Sequence, residues 1–154
     1  MKSLQKFGPI GQFLFVALCL PFTGLFADEK PQMGIGNGEK NWIVLDGVAR
    51  KDSVLTFNEV QIDGNGWLVM HPFEDGAPNG DKYVAYTYLE SGKNLDVQID
   101  VLKGLSSDEM FIVMLHRDGN ENKVLDFIFV DDQNVMDRAV FEGSTMIGHV
   151  IAVP

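Results

Sequence analysis

Three histidines occur in the chain, and each follows a methionine at a short distance. The pairs are Met70 with His71, Met114 with His116, and Met146 with His149. Imidazole nitrogen binds zinc and copper, and thioether sulfur favours Cu(I), so the pattern predicts a metal site. The candidate ligands are His71, His116, His149, Met70 and Met114, and the predicted cofactor is copper or zinc.

Side-chain alternation along a strand places His71 on the face of Val69, and His116 on the face of Met114. Both histidines end predicted strands, so they can meet if those strands pair or face each other across two sheets. The alternative is that each is an ordinary strand-end histidine with a hydrogen-bonded ring, beside methionines that fill gaps in the core. The sequence leaves both interpretations open.

A second candidate metal site is an acidic loop that begins at Asp118. Its oxygen-bearing side chains are those of Asp118, Asn120, Asn122 and Asp126. Their spacing matches the opening of a calcium loop, and Ca²⁺ requires six to eight oxygen ligands. Lys123 takes the position where such loops carry glycine, and no glutamate follows at the closing position. The alternative is a hairpin loop stabilised by Asx turns.

Aromatic residues form a third group with a possible binding role. Tyr83, Tyr86 and Tyr88 interleave along one segment, downstream of Trp67. An exposed aromatic row can stack on sugars or contact a partner strand. Cross-strand aromatic pairs inside a sheet are the commoner explanation of such a pattern.

Catalytic motifs are absent from the sequence. It contains no G-x-S-x-G nucleophile elbow. Its adjacent acid pairs, such as Asp131 with Asp132, fall in predicted loops, and no spacing implies two carboxylates across a cleft. We therefore predict that the protein is not an enzyme.

The elements that must position these residues are strands, because the apolar pattern has period two and turn signals recur at short intervals. Predicted strands include 54–62, 67–71, 95–102, 110–116 and 125–130, and the helical candidates are short, such as the turn at 106–109. The strand at 95–102 alternates, with Leu95, Val97, Ile99 and Val101 on one face. Seven or eight strands at this spacing predict an all-β, antiparallel β-sandwich of two sheets over residues 42–154. The loops at 74–82, 117–123 and 131–137 are the expected contact elements.

The N-terminus has the layout of a secretory signal peptide. Lys2 and Lys6 precede an unbroken apolar run at 13–20, and Ala27 ends the segment before a polar stretch. The run is too short for a membrane-spanning helix, so we predict cleavage after residue 27 and no transmembrane helix in the mature chain. Cleavage would remove Cys19, the chain's single cysteine. Residues 28–41 are polar and Gly-rich, which predicts a flexible leader.

Composition limits the remaining classes. The chain has 154 residues, of which 45% are apolar, which suits one domain with a hydrophobic core. Acidic residues outnumber basic ones by 22 to 12. A negative field repels phosphate, so we expect no nucleic-acid partner.

Several strand motifs occur in a recognisable order. Residues 66–71 read G-W-L-V-M-H, residues 88–92 read Y-L-E-S-G, and residues 114–118 read M-L-H-R-D, followed by Asp126 and Phe127. Over 44–153 the chain resembles an uncharacterised family of exported domains found in haloarchaeal surface proteins and bacterial envelope proteins. Its members carry a G-[WF]-[LV]-V-[IM]-H strand and an [AM]-[ML]-[LP]-H-x-D strand end. The resemblance implies an exported, immunoglobulin-like sandwich of unassigned role, and it supplies no catalytic residues.

Two function hypotheses follow from these observations. The first is an exported, non-enzymatic binding or structural domain in the periplasm or at the cell surface, whose partner is a protein or surface ligand. The second is an envelope metal-binding protein that uses the histidines and methionines for copper or zinc, or the acidic loop for calcium.

Overall fold

The computed structural model describes residues 33–101, 103–127 and 136–154, which consist of strands, turns and loops without a helix. All of them belong to one compact unit, Pro31–Pro154. The strands in these ranges are β1 (Gly34–Gly36), β2 (Trp42–Ile43), β3 (Ala49–Lys51), β4 (Val54–Ile62), β5 (Gly66–Glu74), β6 (Ala77–Pro78), β7 (Ala85–Leu89), β8 (Gly92–Asp100), β9 (Met110–Arg117), β10 (Phe141–Glu142) and β11 (Thr145–Ala152). Within the same ranges no helix long and apolar enough to cross a membrane is found. The predicted signal peptide lies outside the described residues.

The strands form two sheets. The seven-stranded sheet has the order β1-β11-β9-β5-β6, with β10 also paired to β11 and β7 also paired to β5. The four-stranded sheet has β4 between β8 and the short strands β2 and β3. Every pair is antiparallel except β1 with β11. The predicted all-β sandwich is therefore confirmed. The strand count exceeds the prediction because β1, β2, β3, β6 and β10 are too short to show an alternating pattern.

The main core lies between the two sheets. Leu55, Phe57 and Ile99 come from the four-stranded sheet and are fully buried, as are Leu68 and Val113 from the seven-stranded sheet. Burial of each such side chain stabilises the fold by about 1.5–3 kcal/mol. These residues alternate along their strands with residues on the opposite face, so the core fixes which side chains point away from it.

The outer face of the seven-stranded sheet is also buried, which is unusual for a sandwich with a polar exterior. On this face Trp67 pairs with His116, and His71 pairs with Ile112. These four residues are between 0% and 4% exposed. Side chains from later segments, above all that of Phe127, cover them. The molecule therefore has a second interior, on the far side of the sheet from the main core.

The leader prediction is corrected for residues 33–41. Gly34–Gly36 forms β1 and pairs in parallel with β11. The carboxylate of Glu142 accepts hydrogen bonds from the backbone N–H groups of Glu39, Lys40 and Asn41 at 2.7–3.0 Å. A glycine-rich composition predicts a flexible backbone. In the structure, however, hydrogen bonds to the distant strands β10 and β11 fix residues 34–36 and 39–41 in place. Residues 28–32 lie outside the described residues.

The predicted alternation at 95–102 is also wrong at one position. Val97 and Ile99 face the core, but Leu95 is 64% exposed. Asp96, which lies between Leu95 and Val97, has a φ of 49°, a left-handed conformation that interrupts the alternation of the strand. The partner strand β4 changes its buried face at the same level, from Leu55 and Phe57 to Val60 and Ile62.

Two shorter predictions also differ from the structure. The strand predicted at 125–130 is not formed at 125–127, and the helical turn considered at 106–109 is a non-helical turn. Residues 128–130 lie outside the described ranges.

Candidate paired-histidine site

Two central strands position a pair of histidines. β5 and β9 are neighbours, and their register places His71 and His116 on the same outer face, with the Val69–Met114 pair between them. The two rings lean toward each other, so that their Nε2 atoms are 3.3 Å apart and their centroids 5.4 Å apart. Gly66 permits the close approach of the strands, because a Cβ there would collide with the carbonyl oxygen of His116.

Backbone carbonyls fix the tautomer of each ring. His71 Nδ1 lies 2.7 Å from the carbonyl oxygen of Lys82, and His116 Nδ1 lies 2.9 Å from that of Asp137. A carbonyl oxygen only accepts hydrogen bonds, so both Nδ1 atoms must carry the proton. In the neutral state each Nε2 is therefore an unprotonated lone-pair donor. The two lone pairs face each other, an arrangement that a proton or a metal cation between them would stabilise.

The environment disfavours a proton on this pair. Burial lowers the pKa of His116 to about 4, against the opposing effect of its hydrogen bond to the Asp137 carbonyl, and the nearby His71 lowers it further. Burial also lowers the pKa of His71, and the hydrogen bond to the Lys82 carbonyl opposes that shift. His71 is 0% exposed and His116 is 2% exposed. Both imidazoles are therefore neutral at pH 7.

Aromatic rings cover the pair. Phe127 packs edge-on against both histidines, with centroid distances of 5.4 Å to His71 and 5.0 Å to His116. Tyr83 contacts Phe127 at 6.0 Å and Tyr86 at 5.3 Å. The histidine nitrogens thus lie in an apolar enclosure, where electrostatic interactions are stronger than in water.

The predicted aromatic group divides between the interior and the surface. Trp67 is buried and makes edge-to-face contacts with Tyr86 at 5.6 Å and Tyr88 at 4.9 Å, across the β5–β7 pair. This is the cross-strand packing expected of such a pattern. Tyr83 and Tyr86 remain 42% and 45% exposed.

The other predicted ligands do not join the pair. Met70 points into the main core, on the opposite face of the sheet. His149 pairs with Val113, which is on that same core side, and its Nε2 is 2.8 Å from Asn37 Oδ1. Met114 shares the outer face with the histidines, but its Cγ lies against Gly148, 2.9 Å from where a Cβ would be. The first part of its side chain is therefore directed toward β11.

The acidic loop brings its predicted calcium ligands together but uses them internally. The Asp118 carboxylate accepts hydrogen bonds from the N–H groups of Asn122 and Lys123, at 3.2 and 3.0 Å. Asp126 Oδ2 accepts from the side-chain amides of Asn120 and Asn122, at 2.8 and 2.9 Å. Asx-type hydrogen bonds therefore occupy these oxygens. Lys123 takes the left-handed φ of 58° at the position where a calcium loop has glycine.

Three contributors to the site had no signal that identified them. Phe127 was recognised as part of a motif but not as a cover for the histidines. The carbonyl groups of Lys82 and Asp137 leave no trace in a sequence, because every residue has one. Asp137 is fully buried, and its carboxylate accepts the N–H groups of Gly119 and Asp126 at 3.0 and 2.8 Å. It thereby holds the acidic loop beside the histidine pair.

Taken together, the fold and the site define a β-sandwich domain with a covered histidine pair on the outer face of its larger sheet. In the described part of the chain, no group of three or more His, Cys, Asp or Glu side chains is arranged to hold a metal ion. The chain belongs to the family described as Domain of unknown function (DUF7282), whose model matches residues 43–148. That range contains His71 and His116 and ends one residue before His149. No curated protein and no solved structure matches the chain.

Proposed function

We propose that this protein is an exported, non-enzymatic β-sandwich domain that binds a metal ion between His71 and His116. One observation carries the proposal: the two Nε2 atoms are 3.3 Å apart while both Nδ1 atoms are held by backbone carbonyls. Metal-binding histidines commonly donate their second ring N–H to a carbonyl, which fixes the ring and raises its basicity as a ligand. Here that arrangement is present on both rings.

The burial of the pair supports binding in preference to catalysis. Phe127 packs against both rings, and each Nδ1 is engaged by the backbone. A general base must reach a proton on a substrate, either directly or through one water. Rings covered in this way are better suited to hold a small ion than to act on a larger molecule.

The proposed location is the periplasm or the cell surface. It rests on the signal-peptide pattern of residues 1–27 and on the resemblance to exported envelope domains. Purification of the full chain after expression with its own N-terminus tests this part. The expected result is accumulation outside the cytoplasm with Asp28 as the first residue, read by mass spectrometry of the intact protein. Cytoplasmic accumulation with residues 1–27 retained would contradict the export proposal.

A second candidate function is contact with a protein or surface ligand. The observation that favours it is the exposed pair Tyr83 and Tyr86, whose rings meet edge-to-face at 5.3 Å next to the covered site. Tyrosine side chains of this kind supply contact area at low entropic cost. The variant Tyr86→Ser should weaken such contact while leaving metal binding at the histidines unchanged, because the Tyr86 ring packs on Trp67 and Tyr83 and not on Phe127.

The metal proposal is tested by bound-metal analysis and by thermal melting with Cu⁺, Zn²⁺ and Ca²⁺. An ion present at a hundredfold excess over its Kd stabilises the folded state by about 2.7 kcal/mol. We expect stabilisation with Cu⁺ or Zn²⁺ that is lost in His71→Gln and in His116→Gln. The matched control is His149→Gln, on the opposite sheet face, which should keep the response.

Two outcomes would overturn this proposal. Absence of a melting shift with all three ions would exclude a metal function. A shift with Ca²⁺ alone, unchanged in the histidine variants, would move the function to the loop of Asp118 and Asp126. We expect no such Ca²⁺ response, because backbone and amide N–H groups already occupy those oxygens.

A further inference from the structure

We infer that the ion this histidine pair selects is a monovalent d¹⁰ cation, Cu(I), with Ag(I) as its chemical equivalent. The inference rests on the proposed metal function and narrows it to one class of ion. The supporting observations are the number of donor atoms and the charge of their surroundings.

The number of donors suits a low coordination number. His71 and His116 provide two imidazole nitrogens, and the described residues add no third His, Cys, Asp or Glu ligand to them. The Cγ atom of Met114, which shares their face, is directed toward β11 at Gly148. Zn²⁺ takes four ligands in structural sites and three protein ligands plus water in catalytic ones. Cu(I) and Ag(I), with filled d shells, form stable linear complexes with two nitrogen donors.

The charge of the surroundings also favours a monovalent ion. Both rings are neutral and buried, and the cover is the apolar ring of Phe127. The two buried acids of the described residues engage N–H groups: Asp137 accepts those of Gly119 and Asp126, and Asp118 accepts those of Asn122 and Lys123. The cost of burying an ion rises with the square of its charge, so a divalent cation without a compensating carboxylate costs about four times as much as a monovalent one.

The separation of the two Nε2 atoms can be compared with the nitrogen–nitrogen distances that linear Cu(I) and tetrahedral Zn²⁺ require. Two metal–imidazole bonds of about 2 Å in a line require nitrogens about 4 Å apart. The observed 3.3 Å would have to widen by about 0.7 Å. Two imidazoles on a tetrahedral Zn²⁺ are about 3.3 Å apart without any movement. The distance alone therefore fits the tetrahedral geometry without movement, and it is the donor count and the charge of the surroundings that favour Cu(I).

Competition titrations test the selectivity. The full chain is titrated under anaerobic, reducing conditions with Cu(I) against bicinchoninate, and separately with Zn(II) against a zinc chelator. We expect one Cu(I) per chain and an affinity at least a hundredfold above that for Zn(II). Ag(I) should compete for the same site. His71→Gln and His116→Gln should each lose this binding, while His149→Gln and Met114→Leu should retain it.

X-ray absorption of the copper-loaded chain provides a second readout that needs no variant. The expected spectrum is that of two-coordinate Cu(I) with imidazole nitrogens. Imidazole ¹⁵N resonances should show both Nε2 atoms shifting on Ag(I) addition while both Nδ1 atoms stay protonated. This measurement remains decisive even if a histidine variant fails to fold.

The outcomes separate this inference from the proposed function. Equal or tighter binding of Zn(II) at the same histidines, or a three- or four-coordinate copper spectrum, would overturn the selectivity while leaving metal binding in place. Failure of every ion to bind would overturn both. Binding that survives in both His71→Gln and His116→Gln would place the metal elsewhere and would also overturn both.

Discussion

The acidic loop and the histidine pair are neighbouring regions, and each brings potential ligand atoms close together. They differ in whether hydrogen bonds already use those atoms. In the acidic loop, the oxygens of Asp118 and Asp126 accept hydrogen bonds from the loop's own N–H groups. In the histidine pair, the backbone engages both Nδ1 atoms and leaves both Nε2 atoms directed at each other. The loop's own N–H groups use its oxygens, whereas the histidine pair directs two nitrogen lone pairs at each other.

This contrast shows that proximity of ligand-type residues does not by itself make a ligand site. An imidazole nitrogen has one lone pair and is available to an ion only if no N–H group uses it, whereas carboxylate oxygens that already accept N–H groups attract a cation less strongly. The loop has the more recognisable sequence pattern, but the pair has the free lone pairs. Asp137 links the two regions, since its carboxylate anchors the loop and its carbonyl orients His116.

The largest expected effect comes from removing the cover of the histidine pair. Phe127 is 7% exposed and contacts both rings, so Phe127→Ala should destabilise the fold by about 3–5 kcal/mol, measured by urea unfolding. It should also admit water and move the pKa of His116 toward its ordinary value, measured by NMR titration. The exposed Tyr86→Ala serves as the control and should cost much less. An unchanged pKa of His116 would show that Phe127 does not exclude water from the pair.

The next largest effect is the pH dependence of stability in the metal-free chain. Burial lowers the pKa of His116 to about 4 in the folded state. Between pH 6.5 and 4 this histidine is therefore protonated in the unfolded state but neutral in the folded state. The contribution of His116 to the unfolding free energy is fully present above pH 6.5. It is lost as the pH falls through that range, and the loss is on the order of 3 kcal/mol.

Unfolding measured at several pH values checks this slope. Between pH 6.5 and 5 the change in stability comes from the histidines. Carboxyls whose pKa is lowered in the folded state, such as that of Glu142, contribute only below the ordinary glutamate pKa of about 4.5. In His116→Gln the slope should be reduced, leaving the contributions of His71 and His149, whose pKa values burial also lowers. A stability that stays constant over this interval would contradict a neutral, buried pair.

The smallest expected effect belongs to the loop. Asp118→Ala removes the acceptor for the N–H groups of Asn122 and Lys123, both of which are exposed and can bind water instead. We expect a loss of about 1 kcal/mol in unfolding free energy and no change in metal binding at the histidines. Asn120→Ala is a matched control, expected to cost less. Loss of the histidine metal response in Asp118→Ala would show that the two regions are not independent.

Much of the fold is predictable because its signals are local. The bounds of β4 coincide with the predicted strand at 54–62, and the alternation of Val97 with Ile99 assigns the core face correctly. The prediction fails at Leu95, where the left-handed Asp96 changes the face. It fails for residues 33–41 because their partners, β11 and Glu142, lie about a hundred residues away.

The candidate site was predictable only in its parts. Parity placed His71 with Val69 and His116 with Met114, and the register places all four on one face. The same parity already put Met70 on the other side of its strand from His71, so a five-ligand site was inconsistent with a single face. Nothing local indicated that His149 would lie on the core side beside Asn37.

By itself, the sequence determined that the chain forms strands, where most of them run, and which side chains alternate along each one, because a period of two residues is a local property of extended backbone. Only the tertiary structure decided that β5 lies beside β9, that their outer face is covered by Phe127, and that two carbonyls orient the rings. A slip of one residue between those strands would send one histidine to the opposite face. The pair therefore exists through long-range register, which no local pattern specifies.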